Sequence, residues 1–248
     1  MKLCWFALSL LLPAAQAAAH PCEGPDKIQG KVTGGSALLF HLEGQDSAFG
    51  LSDLVIVDTK IEDAMKPGTE LSIHRALEKP DRYGRRTGQV FTRAQDSQPK
   101  RWLQGHLLKT GQALISGITA SGACLDAMRD AERVAKRQRL GVWASENTEI
   151  GSLQLDALNK AIGNFVIVWG KVQSVGDRKK RLYLNFGKKW SQDFTVQIVK
   201  SGKSTYQGDL EPLQHSSGKL VRVRGILEEG GGPLIRVTHA AQIEIDER

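Results

Sequence analysis

Residues 27–92 carry short apolar runs broken by glycine and by Asp or Lys turns: IQGKV, SALLFHL, DLVIVD, ELSIHRAL and GQVFT. Runs this short at such close spacing predict the strands of a small barrel or meander. The period then changes. In RWLQGHLLKTGQALI, Trp102, Leu103, Leu107 and Leu108 share one helical face, and Gly111 can end the helix. In CLDAMRDAERVAKRQRLGVWA, Leu125, Met128, Ala131 and Ala135 recur on the face opposite most of the arginines. Gly141 is expected to stop that helix, with Val142 and Trp143 folding back over it.

A polar stretch, SENTEIGS at 145–152, reads as a linker. After a short helix through Leu155 to Ile162, strand signals resume in FVIVWGKVQSV, RLYLNFG, DFTVQIVK, KLVRVRGILEE and PLIRVTH. A helix or loop, TYQGDLEPLQHSSG, separates the third from the fourth. Five strands with an insert at that place predict an OB-type barrel. The expected class is mainly β with packed helices (α+β). No internal repeat and no low-complexity segment is visible. The expected division is a leader at 1–19, a first domain at 20–150 and an OB-like β-barrel at 151–248.

The leader rests on MKLCWFALSLLLPAAQAAAH: Lys2, an apolar run from Leu3 to Leu12, then small residues. That run is too short to span a bilayer, and Ala15-Gln16-Ala17 offers a small-x-small cleavage site. A secretory signal peptide ending at Ala17 or Ala19 is expected, which places the mature chain in the periplasm or outside the cell. A retained N-terminal anchor is the alternative. No later segment is apolar enough to cross a membrane. Of the 3 cysteines, Cys22 and Cys124 remain after the leader. In an oxidising compartment they can bridge, or lie apart as two buried thiols. No CxxC or spaced histidine pair suggests zinc. The net charge is +7, and its excess lies after Gly151, where 15 basic residues face 10 acidic ones. That balance suits a polyanion such as nucleic acid, and equally an ordinary basic surface.

DRYGRRTGQVF, WLQGHLLKTGQALI and CLDAMRDAERVAKRQRLGVW, in that order, resemble the staphylococcal nuclease (thermonuclease) family over residues 27–144. The second half resembles, more vaguely, a further OB-like domain attached to secreted bacterial members. The resemblance implies a five-stranded OB barrel with helices packed on it, and hydrolysis of phosphodiesters in DNA and RNA with Ca²⁺. In such a site carboxylates hold the hard cation, a glutamate handles the proton of the attacking water, and two arginines clamp the phosphoryl oxygens.

Carried over residue by residue, that constellation is incomplete. The arginine ending the family's Asp-x-Tyr-Gly-Arg falls on Arg85. The acidic Asp-Gly-Asp-Thr turn falls on Thr33-Gly34-Gly35-Ser36, with Gly35 where the metal-binding aspartate would stand. The next strand, FGLSDLVIVDT, aligns in two registers. One puts Gly50 at the second arginine, Val55 at a metal carboxylate and Asp58 at the base. The other puts Asp53 at the arginine and Ile61 at the base. The helix that follows shrinks to TKIEDAMKPG before Pro67-Gly68 breaks it. Losing one such donor typically costs ~10²–10³ in rate, and the cation's carboxylate several kcal/mol more. The expectation is a secreted, catalytically degenerate protein with no cofactor, binding nucleic acid, another polyanion or a protein. In it Asp81 and Gly84 form a tight turn, Arg85 pairs with a carboxylate or keeps a residual anion contact, Glu132 pairs with Lys136, and His106 is a solvated or core histidine. The alternative is an active Ca²⁺-dependent hydrolase, with Arg85 as phosphate clamp and ligands relocated to Asp46, Asp53, Asp58 or Glu62.

In the second barrel Trp169, Tyr183 and Trp190 can stack on bases. Lys171, Lys180, Arg181, Lys188, Arg222 and Arg224 can face phosphates. The alternative there is a scaffold or protein-contact role, with the aromatics buried.

Overall fold

The computed structural model describes residues 19–24, 27–36, 38–57, 65–77, 79–81, 83–93, 99–120, 122–189, 191–202 and 205–246. Residues 1–18 of the leader, Asp58, Glu62 and Trp190 lie outside the described residues.

The strand signals of the first half become β1 (Lys27–Gly35), β2 (Phe40–Leu42), β3 (Ala48–Leu51), β4 (Leu54–Ile56), β5 (Glu70–His74) and β6 (Arg85–Thr92). They close into a barrel in the order β1-β2-β3-β6-β5, with β3 and β6 parallel. One strand reaches two neighbours because β1 shifts register between Val32 and Gly34. Its first part pairs with β5 and its last part with β2. Alternation then points Val32, Phe40, Leu42, Phe49, Leu71, Ile73 and Val90 into one core.

Two helices cover that barrel. In α1 (Leu103–Lys109), Leu103, Leu107 and Leu108 are buried, and Trp102 precedes the helix in a bridge to Phe91. After β7 (Ala113–Ile115), which pairs with β4, comes α2 (Gly122–Gln138), burying Leu125, Met128, Ala131 and Ala135. It ends earlier than Gly141 predicts, because Arg139 already takes φ 52°. Gly141 instead opens a short 3-10 turn, Gly141–Ala144, that buries Trp143. Its own need is steric. Gly111 (φ 69°) and Gly141 (φ 52°) face each other, and a Cβ on either would come within 2.1–2.3 Å of backbone.

Part of the polar linker is a strand. β8 (Glu149–Gly151) runs parallel to β9 (Phe165–Lys171), with α3 (Leu155–Lys160) between them. Then follow β10 (Ser174–Asp177), β11 (Arg181–Asn185), β12 (Thr195–Val199), α4 (Glu211–Gln214), β13 (Leu220–Glu229), β14 (Pro233–Val237) and β15 (Ile243–Asp246). Hydrogen bonding runs β10-β11-β12-β14-β13-β9, with β12 and β14 parallel. Only Val172 and Gln173 separate β9 from β10, so the two act as halves of one bent strand and the path returns on itself. The strand order therefore repeats that of the first barrel, around a second core that includes Val168, Leu182, Leu184, Phe194, Val196, Ile198, Val223 and Ile235.

Between the two barrels Leu114, Ala135, Trp143 and Ile167 form a smaller buried cluster, and Ala241 packs into the first core. Cys22 and Cys124 are joined by a disulfide that ties the N-terminal segment to α2. Among the described residues no helix is long and apolar enough to cross a membrane.

Candidate functional site

Arg85 begins β6, in parallel register with Ala48 of β3. Its Nε and Nη2 each lie 2.9 Å from Asp81 Oδ2, and its backbone N–H donates to Asp81 Oδ1 at 3.0 Å. Asp81 also accepts from the Tyr83 backbone N–H at 2.8 Å. These bonds hold the Asp81 carboxyl below its usual range, the Arg85 backbone N–H contributing most. Arg85 Nη1 donates to the Leu38 carbonyl, 3.4 Å away, and its guanidinium lies 5.3 Å from the Tyr83 ring centre. The arginine thus stands beside the β1–β2 turn, where the resemblance puts the metal, but its donors are directed into protein.

That turn does not fit calcium, which needs a cage of oxygen ligands, carboxylates among them. Gly35 has φ 126°, and a Cβ there would lie 2.3 Å from the Leu39 carbonyl oxygen and 2.5 Å from Phe40 Cα. The turn is closed by Ser36 N–H to Leu39 C=O at 2.7 Å and by the return bond at 3.1 Å. No aspartate can stand at Gly35 in this backbone. Among the described residues no three His, Cys, Asp or Glu gather closely enough to hold a metal.

Asp53, a candidate relocated ligand, is committed elsewhere. It is buried with φ 63°. Its Oδ1 accepts from Thr119 N–H at 2.7 Å, Thr119 Oγ1 at 2.7 Å and Ala120 N–H at 2.8 Å, and Oδ2 from Gln89 Nε2 at 3.2 Å. A short acidic side chain tolerates this left-handed backbone, and here it fastens the loop that leads into α2. Asp46 lies exposed in the turn between β2 and β3.

The second-barrel candidates separate into two faces. Arg224 is 2% exposed and cannot face a phosphate. Its Nη1 lies 3.0 Å from both Glu132 oxygens, and its Nη2 lies 2.8 Å from Glu244 Oε1. Burial works against its charge, but Glu132 and Glu244 outweigh that and keep it protonated. Glu132 therefore does not pair with Lys136. It crosses to the second barrel and also accepts from the Ile115 N–H at 2.9 Å, while Lys136 binds Glu149. Arg222 also meets Glu149, at 2.9 Å. Trp169 is 45% exposed, so it is not buried, yet its concavity is lined by Glu149, Glu244 and Asp246 with Arg222 as the cation. Arg222 is thus committed to carboxylates, and Glu149 and Glu244 are in turn held by Lys136 and Arg224. Lys171 lies at the edge of this face, opposite Leu220.

Arg181 lies on the other face, formed by β10, β11, β12 and β14. There Arg178, Arg181, Tyr183, Asn185, Gln197 and Arg236 line a concavity of about 470 Å³. Lys188 is exposed in the connection between β11 and β12 and does not line it. Arg178, Arg236, Asn185 and Gln197 were missed in the sequence. The available signal was period-2 alternation, which in PLIRV sets Arg236 outward between buried Ile235 and Val237.

No curated protein matches this chain. Residues 46–145 match the model of the family described as staphylococcal nuclease homologue, a match that begins beyond the β1–β2 turn. From β3 through the helices packed on the first barrel, residues 46–145 of this chain therefore carry a staphylococcal nuclease homologue domain.

Proposed function

We propose that this protein is a secreted, non-hydrolytic member of the nuclease family, which binds nucleic acid and does not cut it. The observation that carries this reading is the β1–β2 turn, shut around Gly35 with no room for a metal-binding carboxylate. Arg85, held by Asp81, survives as a structural residue of the β6 turn. The leader pattern supports export to the periplasm or the exterior, and the Cys22–Cys124 bridge suits an oxidising compartment.

Incubation of the mature protein with heat-denatured DNA and Ca²⁺ tests the reading. The expected result is no digestion beyond buffer, unchanged by Arg85→Ala, together with a salt-dependent mobility shift of the intact strand. Digestion that needs Ca²⁺ and disappears in Arg85→Ala would instead establish a hydrolase with relocated ligands.

A further inference from the structure

The geometry points to a binding site for single-stranded nucleic acid on the outer face of β10, β11, β12 and β14 in the second barrel. This rests on the nucleic-acid-binding reading above and gives it a location. Strand register builds the site. Gly176 stands opposite Tyr183, Tyr183 opposite Gln197, and Gln197 opposite Arg236. A second row sets Ser174, Asn185, Thr195 and Leu234 side by side. At about 4.8 Å per strand, each row crosses roughly 14 Å of surface.

Each part of this face suits a single strand. Tyr183 has no side chain opposite it on its Gly176 flank, its hydroxyl lies 3.5 Å from Gln197 Nε2, and it lines the concavity half-buried. An aromatic ring in a basic concavity is a platform for an unpaired base, whose flat face a duplex would hide. Asn185 and Gln197 carry both donors and acceptors, as base edges require. The Thr195 hydroxyl beneath has no partner among the described residues.

Charge complementarity selects the same occupant. Among the described residues, Arg178 and Arg181 have no carboxylate within ion-pair distance, and Arg236 meets only Glu228, at 3.2 Å on the exposed surface. The nearby Asp177 is taken up by Lys200 and Gln214. On the Trp169 face, by contrast, Arg222 lies against Glu149 at 2.9 Å and Glu244 at 3.9 Å.

The test is fluorescence anisotropy of a labelled oligothymidylate, about 15 nucleotides long to cover one barrel, titrated with the full mature chain over a range of salt. Arg181→Glu combined with Arg236→Glu is expected to weaken binding at least about tenfold. The two changes should also flatten the salt slope by about 1.4, at ~0.7 per lost phosphate contact. Tyr183→Ala is expected to weaken binding by about 5- to 150-fold through lost stacking, while Tyr183→Phe retains it. Lys171→Glu, on the other face, is a single charge-reversal control and should bind as wild type does. Melting curves confirm that each variant is folded. Undiminished binding in the arginine and Tyr183→Ala variants would overturn this site and leave the proposed function standing. No binding by the wild type would overturn both. Weakening by the arginine changes alone, with heparin competing as well as DNA, would make the face a general polyanion surface and overturn the assignment to nucleic acid.

Discussion

Replacing Arg224 with methionine keeps most of the volume of its stem and removes its charge. Two carboxylates then remain at the seam between the barrels. Glu132, 6% exposed, keeps the Ile115 N–H, and Glu244 keeps Arg222 at 3.9 Å. Deleting one partner of a buried ion pair costs roughly 3–5 kcal/mol, most of it the penalty of the stranded charge. At about 2–4 °C per kcal/mol for a chain of this size, the melting temperature at pH 7 should fall by about 6–20 °C. Because Glu132 belongs to α2 and Arg224 to β13, the loss should also split a joint calorimetric transition into two. The pH dependence has a definite sign. Burial alone would raise the Glu244 carboxyl, but Arg224, Arg129 and Arg222 outweigh burial and hold it below 4.5. A depressed carboxylate stabilises the fold above its unfolded value, and that contribution is lost as pH falls through the folded value. The gap between wild type and Arg224→Met should therefore narrow below about pH 4. Adding Glu132→Gln and Glu244→Gln to Arg224→Met should recover more than half of the loss. Calorimetry at pH 7 and pH 3.5 reads all of this. A variant melting within about 2 °C of wild type at pH 7, or a triple variant no more stable than Arg224→Met, would refute the stranded-charge reasoning.

Asp53→Ala removes the acceptor of the Thr119 and Ala120 N–H groups; urea unfolding should show a loss of roughly 3 kcal/mol. Gly35→Asp forces a Cβ to within 2.3 Å of the Leu39 carbonyl oxygen. It should cost about 2 kcal/mol or more without creating calcium binding detectable by titration calorimetry. Cys22→Ser with Cys124→Ser opens a link across 102 residues of sequence. It should cost up to about 4.7 kcal/mol, seen as a lower denaturation midpoint that added reductant no longer shifts.

Period carried most of the fold. The strand runs and the two amphipathic helices were legible because alternation and helical spacing are local. The Asp81–Arg85 pair lies within a single turn, so spacing alone could suggest it. Register and covering were not legible. In LVRVRG, Arg222 and Arg224 fall on the same face of β13, and alternation gives that face without saying what packs on it. One arginine reaches carboxylates at the rim, and the other is buried under α2. Glu132 misled for the same reason, since a helix surface looks solvated until a second domain covers it. The EIG of the polar linker is too short to read as a strand and becomes one only because β9 offers an edge. The glycine at position 35 could be read from the sequence, whereas the closure of its turn needed the backbone.

The two barrels share a strand order without a sequence repeat, and their surfaces carry opposite uses of charge. In the first, Arg85 is held against its own turn. In the second, the exposed arginines of β11 and β14 lack strong partners, while the arginines of β13 are spent on the seam. This division makes a prediction that separates the buried reading of Arg224 from a phosphate-contact reading. If Arg224 only clamps the seam, Arg224→Met measured well below its melting temperature should bind oligothymidylate with wild-type affinity and an unchanged salt slope. Were Arg224 a phosphate contact, the slope would drop by about 0.7 and affinity with it. The seam grips β13 through α2, and the proposed site reaches β13 through its neighbours, β14 on one side and the β9–β10 strand on the other. A stability loss without an affinity loss is therefore the outcome that fits a first barrel serving as the anchor for the second.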